Sequence, residues 1–207
     1  MKYMTLALIL GVCSLSAQTI VGIQGGMSFR GNDFNRADFM FSPLSWNNGL
    51  TIGIQTDFSI TKTIAVRTSA EYNHYSFDHF QSEGPAPPDW RIGSSSGHDA
   101  ESYRVALEGV YSLRLSKRYT ALFLTGIGYA EERNGAVWFS LVNKTDGTER
   151  TTHAPKRFKP FLFHSFGLGV RHFLTRDLGI ELIAKNQTNY ATRFHQALNL
   201  AVILNLN

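Results

Sequence analysis

The sequence predicts an all-β protein, an eight-stranded antiparallel up-and-down transmembrane β-barrel, on three observations. Apolar residues recur at every second position through most of the chain; tight polar turns alternate with long loops; and an export-type apolar segment comes first. The clearest alternation lies at the C-terminal end. Phe194, Gln196, Leu198, Leu200, Val202, Leu204 and Leu206 fall on one side, with His195, Ala197, Asn199, Ala201, Ile203, Asn205 and Asn207 on the other. A soluble sandwich can alternate in this way too, but export together with the loop pattern favours the outer membrane of a Gram-negative cell.

Residues 1–17 read as a signal peptide and 18–207 as the barrel domain. Met1-Lys2 gives a positive start, Leu6 to Val12 an apolar core, and Leu15-Ser16-Ala17 the small residues that place cleavage after Ala17. The apolar run is shorter than the about 20 residues a membrane helix needs, and no later stretch reaches that length without a polar residue. Only a closed barrel could then span. The single cysteine, Cys13, lies inside the leader, and the bulky Val12 before it argues against lipidation. The mature chain therefore carries no disulfide and no thiol chemistry.

Formal net charge is +4, with Lys and Arg scattered along the chain, so no clustered basic face suggests nucleic acid. Mean hydropathy is slightly negative, −0.14, as expected where half of each strand faces a polar lumen.

The first strand runs from Thr19 to Arg30, with Val21, Ile23, Met27 and Phe29 outward. The second, Gly49 to Ile60, sets Leu50, Ile52, Ile54, Phe58 and Ile60 against Thr51, Gly53, Gln55, Asp57 and Ser59. The third, Thr63 to Ser76, opposes Ile64, Val66, Ala70 and Tyr72 to Arg67, Ser69, Glu71 and Asn73. The fourth, Ser102 to Leu115, turns Tyr103, Val105, Leu107, Tyr111 and Leu113 away from Arg104, Glu108, Ser112 and Arg114. In the fifth, Tyr119 to Glu131, Tyr119, Ala121, Phe123, Ile127 and Tyr129 face out, although Leu122 and Leu124 blur the contrast. The sixth, Phe158 to Leu174, points Leu162, Phe166, Leu168 and Val170 outward and Ser165, Gly167, Gly169 and Arg171 inward. The seventh, Leu178 to Tyr190, opposes Leu178, Ile180, Leu182 and Ala184 to Glu181, Lys185, Gln187 and Asn189; the eighth is the C-terminal strand.

Thr61-Lys62, Ser116-Lys117-Arg118 and Thr175-Arg176-Asp177 are the tight turns. Gly31 to Asn48, Phe77 to Ala100 and Asn134 to Pro155 are the long loops, while the last connection, Ala191 to Arg193, is short. Tyr72, Tyr103, Tyr129, Tyr190 and Phe194 on the apolar face near the long-loop ends, with Tyr119 near a turn, would form two aromatic girdles.

Gly22-Ile23-Gln24-Gly25-Gly26-Met27-Ser28-Phe29, Gly53, Glu71-Tyr72 and Gly167-Leu168-Gly169-Val170 resemble the small outer-membrane β-barrel proteins of Bacteroidetes, the PorT-like barrels. The resemblance covers the mature chain and implies the barrel fold; the family's roles are varied. Such barrels commonly finish on an aromatic residue, whereas this sequence finishes Leu204-Asn205-Leu206-Asn207.

The inward positions Asp57, Arg67, Glu71, Arg104, Glu108, Arg114, Arg171, Glu181 and Lys185 mix both signs, so they are expected to pair across a narrow, closed interior. No porin function is expected. The sharpest catalytic pattern is His74-Tyr75-Ser76, whose His and Ser share the outer face. It is similar to the His-x-Ser element of lipid A deacylases, but lies in the third strand instead of late in the chain. It has no acid at the expected distance, so that Asp78 or Glu83 would have to orient the base. Asp78, His79, Asp89, His98 and Asp99 offer donors without metal-fixing spacing, and Gly25-Gly26 precedes no helix, so it is no phosphate loop. No catalytic, metal or cofactor site and no cofactor are therefore expected. The loop Ser82 to Trp90 is stiffened by proline and Gly93 to Gly97 loosened by glycine and serine, with Trp46 and Trp90 as anchors for a partner. The expectation is a monomeric, non-enzymatic structural or surface-interaction protein in contact with outer-membrane lipid, using its loops. A lipid-modifying hydrolase and a soluble exported barrel with a small ligand are the alternatives.

Overall fold

The computed structural model describes residues 19–30, 48–77, 88–189 and 194–206. Among these residues eleven strands are formed: β1 Thr19–Arg30, β2 Asn48–Ser59, β3 Ile64–Tyr75, β4 Trp90–Gly97, β5 Ala100–Arg114, β6 Tyr119–Asn134, β7 Val137–Asn143, β8 Glu149–Ala154, β9 Arg157–Phe173, β10 Leu178–Thr188 and β11 Phe194–Leu206. Eight of them close a barrel in the order β1-β11-β10-β9-β6-β5-β3-β2, every neighbour antiparallel. Closure is made by the first and last strands, Thr19 opposite Leu206 and Arg30 opposite His195, so the barrel has no free edge.

The predicted strands and faces are these barrel strands, within a few residues at each end. Leu50, Leu162 and Ile127 are about two-thirds exposed, whereas Arg67 between them in the sheet is fully buried. Charge inside and hydrocarbon outside invert the arrangement of a soluble core. The ambiguous fifth and sixth predicted strands resolve as expected: Leu122 and Leu124 are buried while Phe123, Phe166 and Leu168 stand out. Two positions depart. Phe58 shares the outward register but is buried, flanked by Thr19 and Val66 at the short-turn rim. Arg114 has the inward phase but lies past the lumen's end, exposed, its Nε donating to the Ser116 carbonyl at 3.1 Å.

The three tight turns share one device. Each opens on a hydroxyl residue whose oxygen accepts the N–H groups two and three positions on, at 3.0–3.3 Å: Thr61 from Thr63 and Ile64, Ser116 from Arg118 and Tyr119, Thr175 from Asp177 and Leu178. A short side chain thereby stands in for the missing ladder partner.

The long connections are not uniformly irregular. From the second and third comes a separate sheet of order β4-β7-β8. The stretch Gly93 to Gly97, expected to be loose, is strand because β7 supplies its ladder, Trp90 opposite Asn143 and Gly97 opposite Val137. Trp90 opens β4 and is half-buried. The leader with its cleavage site, Trp46, Asp78, His79, Glu83, Tyr190 and the connection 191–193 lie outside the described residues, as does the Phe194 side chain.

Candidate functional site

The lumen is filled by layers of paired polar groups. Toward the short turns, Arg67 binds Asp57 through Nε (2.6 Å) and Nη2 (2.9 Å), and Glu181 through Nη1 (2.8 Å). Arg171 bridges the same two acids from the far wall, at 2.5 Å to Asp57 and 2.6 Å to Glu181, and Gln55 donates to Glu181 at 2.8 Å. Asp57 and Arg67 face each other on paired strands, but Glu181 comes from β10, across the interior. Each carboxylate thus receives charged donors from two strands, the condition under which a buried ion pair is tolerated.

Above this layer, Lys185 reaches Glu71 at 3.1 Å and Glu108 at 3.2 Å, and Gln24 donates to Glu71 at 2.9 Å. Higher again, Arg104 holds Glu132 at 3.2 Å and Ser102 at 3.0 Å, donates to Gln187, and lies 5.7 Å from the Phe163 ring centre. Among the described residues the paired interior sets five carboxylates (Asp57, Glu71, Glu108, Glu132, Glu181) against four cations (Arg67, Arg104, Arg171, Lys185). The surplus falls on the Lys185 layer, where Glu71 Oε2 and Glu108 Oε1 are buried with no hydrogen-bond partner among the described residues. Apolar clusters complete the short-turn half: Ala65, Val110, Leu122, Leu124 and Ile183, and Ile20, Ala201 and Ile203 with Phe173 against them. Glycine makes room for the stems: a Cβ on Gly126 would stand 2.2 Å from the Leu107 carbonyl oxygen and 2.9 Å from Glu108 Cγ.

The long-loop end is closed by Tyr75. Its ring is fully buried and its hydroxyl meets His195 Nδ1 at 3.0 Å, spanning the interior from β3 to β11. The same ring belongs to an apolar cluster with Ala100 of the barrel, Ile92 of β4, and Val137 and Phe139 of β7, onto which Phe77 and Leu141 pack. The small sheet is therefore fastened to the barrel rim as a cap. Its β7–β8 hairpin turns at Asp146-Gly147, Gly147 having φ +71°, a conformation glycine adopts without strain. The Thr148 N–H and hydroxyl both donate to Asp146 Oδ1, at 3.0 and 2.8 Å, and hold that exposed carboxyl below its usual range.

His74-Tyr75-Ser76 is thus split by the fold: Tyr75 points in and seals, while His74 and Ser76 stay outside. Among the described residues the acid on His74 is Asp99, at 3.2 Å; Asp78 and Glu83, the acids expected from the sequence, lie outside them. Asp99 also accepts the Phe77 N–H at 2.9 Å, so the arrangement fastens the end of β3 to the start of β5. Among the described residues, no group of three or more His, Cys, Asp or Glu could hold a metal. Tyr75, His195, Gln24, Glu132 and the cap carry no motif in the sequence that marks their role; the Val137-Trp138-Phe139-Ser140-Leu141 alternation ahead of Asp146-Gly147 is the local signal for the hairpin.

Of the expected girdle, Tyr103, Tyr129 and Tyr119 are exposed on the outer face and Tyr72 is half-buried there. Tyr111, Phe123, Phe158 and Phe166 join them.

No family model matches the sequence, and no curated protein matches it. Solved structures do share its fold. The attachment invasion locus protein Ail of Yersinia pestis aligns with TM-score 0.54 and 13% identity, over 92% of this chain and 99% of that one. Neisserial surface protein A aligns with TM-score 0.52 and 10% identity, over 91% and 97%. At these identities the likeness is one of architecture: the chain is a closed eight-stranded antiparallel barrel of the kind these small membrane proteins use.

Proposed function

We propose that this chain is an outer-membrane barrel closed to solutes, whose working surface is the capped long-loop end. The inverted polarity supports the membrane, since an aliphatic belt around a charged interior is stable only in hydrocarbon. A soluble ligand-carrying barrel would need the reverse. The observation that carries the surface role is the cap: a separate sheet whose apolar cluster is pinned to the barrel by Tyr75. Rigid presentation suits recognition, because a pre-ordered surface loses little entropy on binding. The leader predicted at residues 1–17 gives the route of export. The filled lumen supports a role other than conduction, and the use of His74 and Asp99 as a strand-end clasp gives no ground for a lipid hydrolase.

Two measurements test this. Asp146→Cys, a single thiol once the Cys13 leader is removed, should react with a membrane-impermeant maleimide on intact cells. The protein in planar bilayers should give no conductance steps. Labelling only after lysis would overturn the orientation; steady conductance would overturn the closed lumen.

A further inference from the structure

The outer face is not evenly filled. On β3, Ala70 points outward between Ile54 of β2 and Val105 of β5, and Val105 faces Tyr129 of β6. One position toward the long loops on that face, Ile52, Tyr72, Tyr103 and Glu131 stand in register. A small side chain ringed by large ones leaves a groove of about 520 Å³ with apolar walls, within the size range of small-molecule sites.

The groove ends in a polar collar. The Tyr72 and Tyr103 hydroxyls both donate to the Glu101 carboxylate, at 3.2 and 3.3 Å, and the Tyr129 hydroxyl donates to Glu131 at 3.1 Å. Arg133 lies 3.8 Å from the other Glu131 oxygen, its guanidinium 5.1 Å from the Tyr103 ring centre and 6.0 Å from that of Phe158. Two carboxylates and one guanidinium are therefore fixed at the tyrosine girdle, where lipid headgroups sit. Arg133 is 45% exposed, so its outer edge remains open to a ligand.

We propose that this groove holds one phosphatidylethanolamine molecule, an acyl chain over Ala70 and its zwitterionic headgroup on the collar. The phosphate lies against Arg133, and the ammonium against Glu101, Glu131 and the tyrosine faces, where carboxylate attraction and cation–π contact act together. An anionic headgroup without the amine keeps the contact with Arg133 but brings no ammonium to Glu101 and Glu131. The assignment rests on the membrane reading above.

The test uses the folded, purified chain in a neutral detergent with phosphatidylethanolamine, phosphatidylglycerol or diacylglycerol at equal mole fraction. Lipids retained per barrel are counted by native mass spectrometry, and folding is followed by the heat-dependent gel shift. The expected result is one retained phosphatidylethanolamine, about tenfold favoured over phosphatidylglycerol. Ala70→Phe, or Ala70→Leu should the larger ring prevent folding, abolishes retention while keeping the gel shift. Arg133→Gln and Glu131→Gln each lower it several-fold. Gly109→Leu, at an outward position whose added Cβ would meet nothing nearer than the Thr125 carbonyl oxygen at 3.7 Å, leaves it unchanged. Equal retention of the two phospholipids, or full retention by the Ala70 variants, overturns the proposal with the barrel intact. A chain soluble without detergent and lacking the gel shift overturns the membrane reading instead.

Discussion

Asn199 and Leu200 are neighbours on β11, yet one is 1% exposed and the other 55%. The same contrast of faces runs round the barrel, because a strand alternates its faces at every residue. Outside, adjacent side chains are interchangeable hydrocarbon and their contribution depends on depth in the membrane. Inside, the charged groups from Asp57 to Lys185 have named partners, some from the opposite wall. The outer face tolerates exchange of one apolar side chain for another; the inner face does not tolerate loss of a charged group that its partners depend on.

Breaking the inner face should have the largest effect. Arg67→Ala leaves Asp57 and Glu181 with Arg171 alone of the two guanidinium groups they share, and stripping one partner from a buried ion pair costs about 3–5 kcal/mol. Urea unfolding in lipid vesicles, followed by tryptophan fluorescence, should show the loss. On the outer face, Leu200→Arg near the middle of β11 should cost about 2–4 kcal/mol in the same assay, as for a cation at the bilayer midplane. Leu206→Arg, at the strand end, should cost under about 1 kcal/mol.

The Lys185 layer sharpens the comparison. Glu108→Gln keeps the shape, removes the surplus carboxylate and leaves Glu71–Lys185 as a neutral pair. It should be neutral or stabilising, where Lys185→Met should destabilise by several kcal/mol. The cap gives the smallest change in the barrel. Phe139→Ala opens the cluster around Tyr75 and should admit protease between Asn143 and Glu149 while the gel shift persists. Acid acts locally as well: the Asp146 carboxyl is held below its unfolded range by Thr148, so its contribution is present above that range. It is lost as pH falls through the lowered value, and Thr148 amide exchange should then accelerate.

Strands and faces were legible because period-two alternation is local. The lumen was legible as a set of charges and not as pairs. Asp57 and Arg67 face each other on adjacent strands, but Arg67 with Glu181, and Lys185 with Glu71 and Glu108, depend on how far the sheet staggers before it closes. Arg114 shows the limit of phase alone, since a residue of inward phase beyond the rim faces water. Gly93 to Gly97 reads as loose chain and becomes strand because its partner lies far along the sequence, at residues 137 to 140. Tyr75 was hidden between His74 and Ser76, whose chemistry drew attention to the wrong face. The groove over Ala70 needs four strands to be seen at all.

The membrane barrel itself is tested most directly by separating envelopes and comparing the gel mobility of the chain with and without boiling. The account predicts recovery with the outer membrane and a folded band that shifts on heating. Recovery in the soluble periplasm without detergent, with one mobility in both samples, would contradict it.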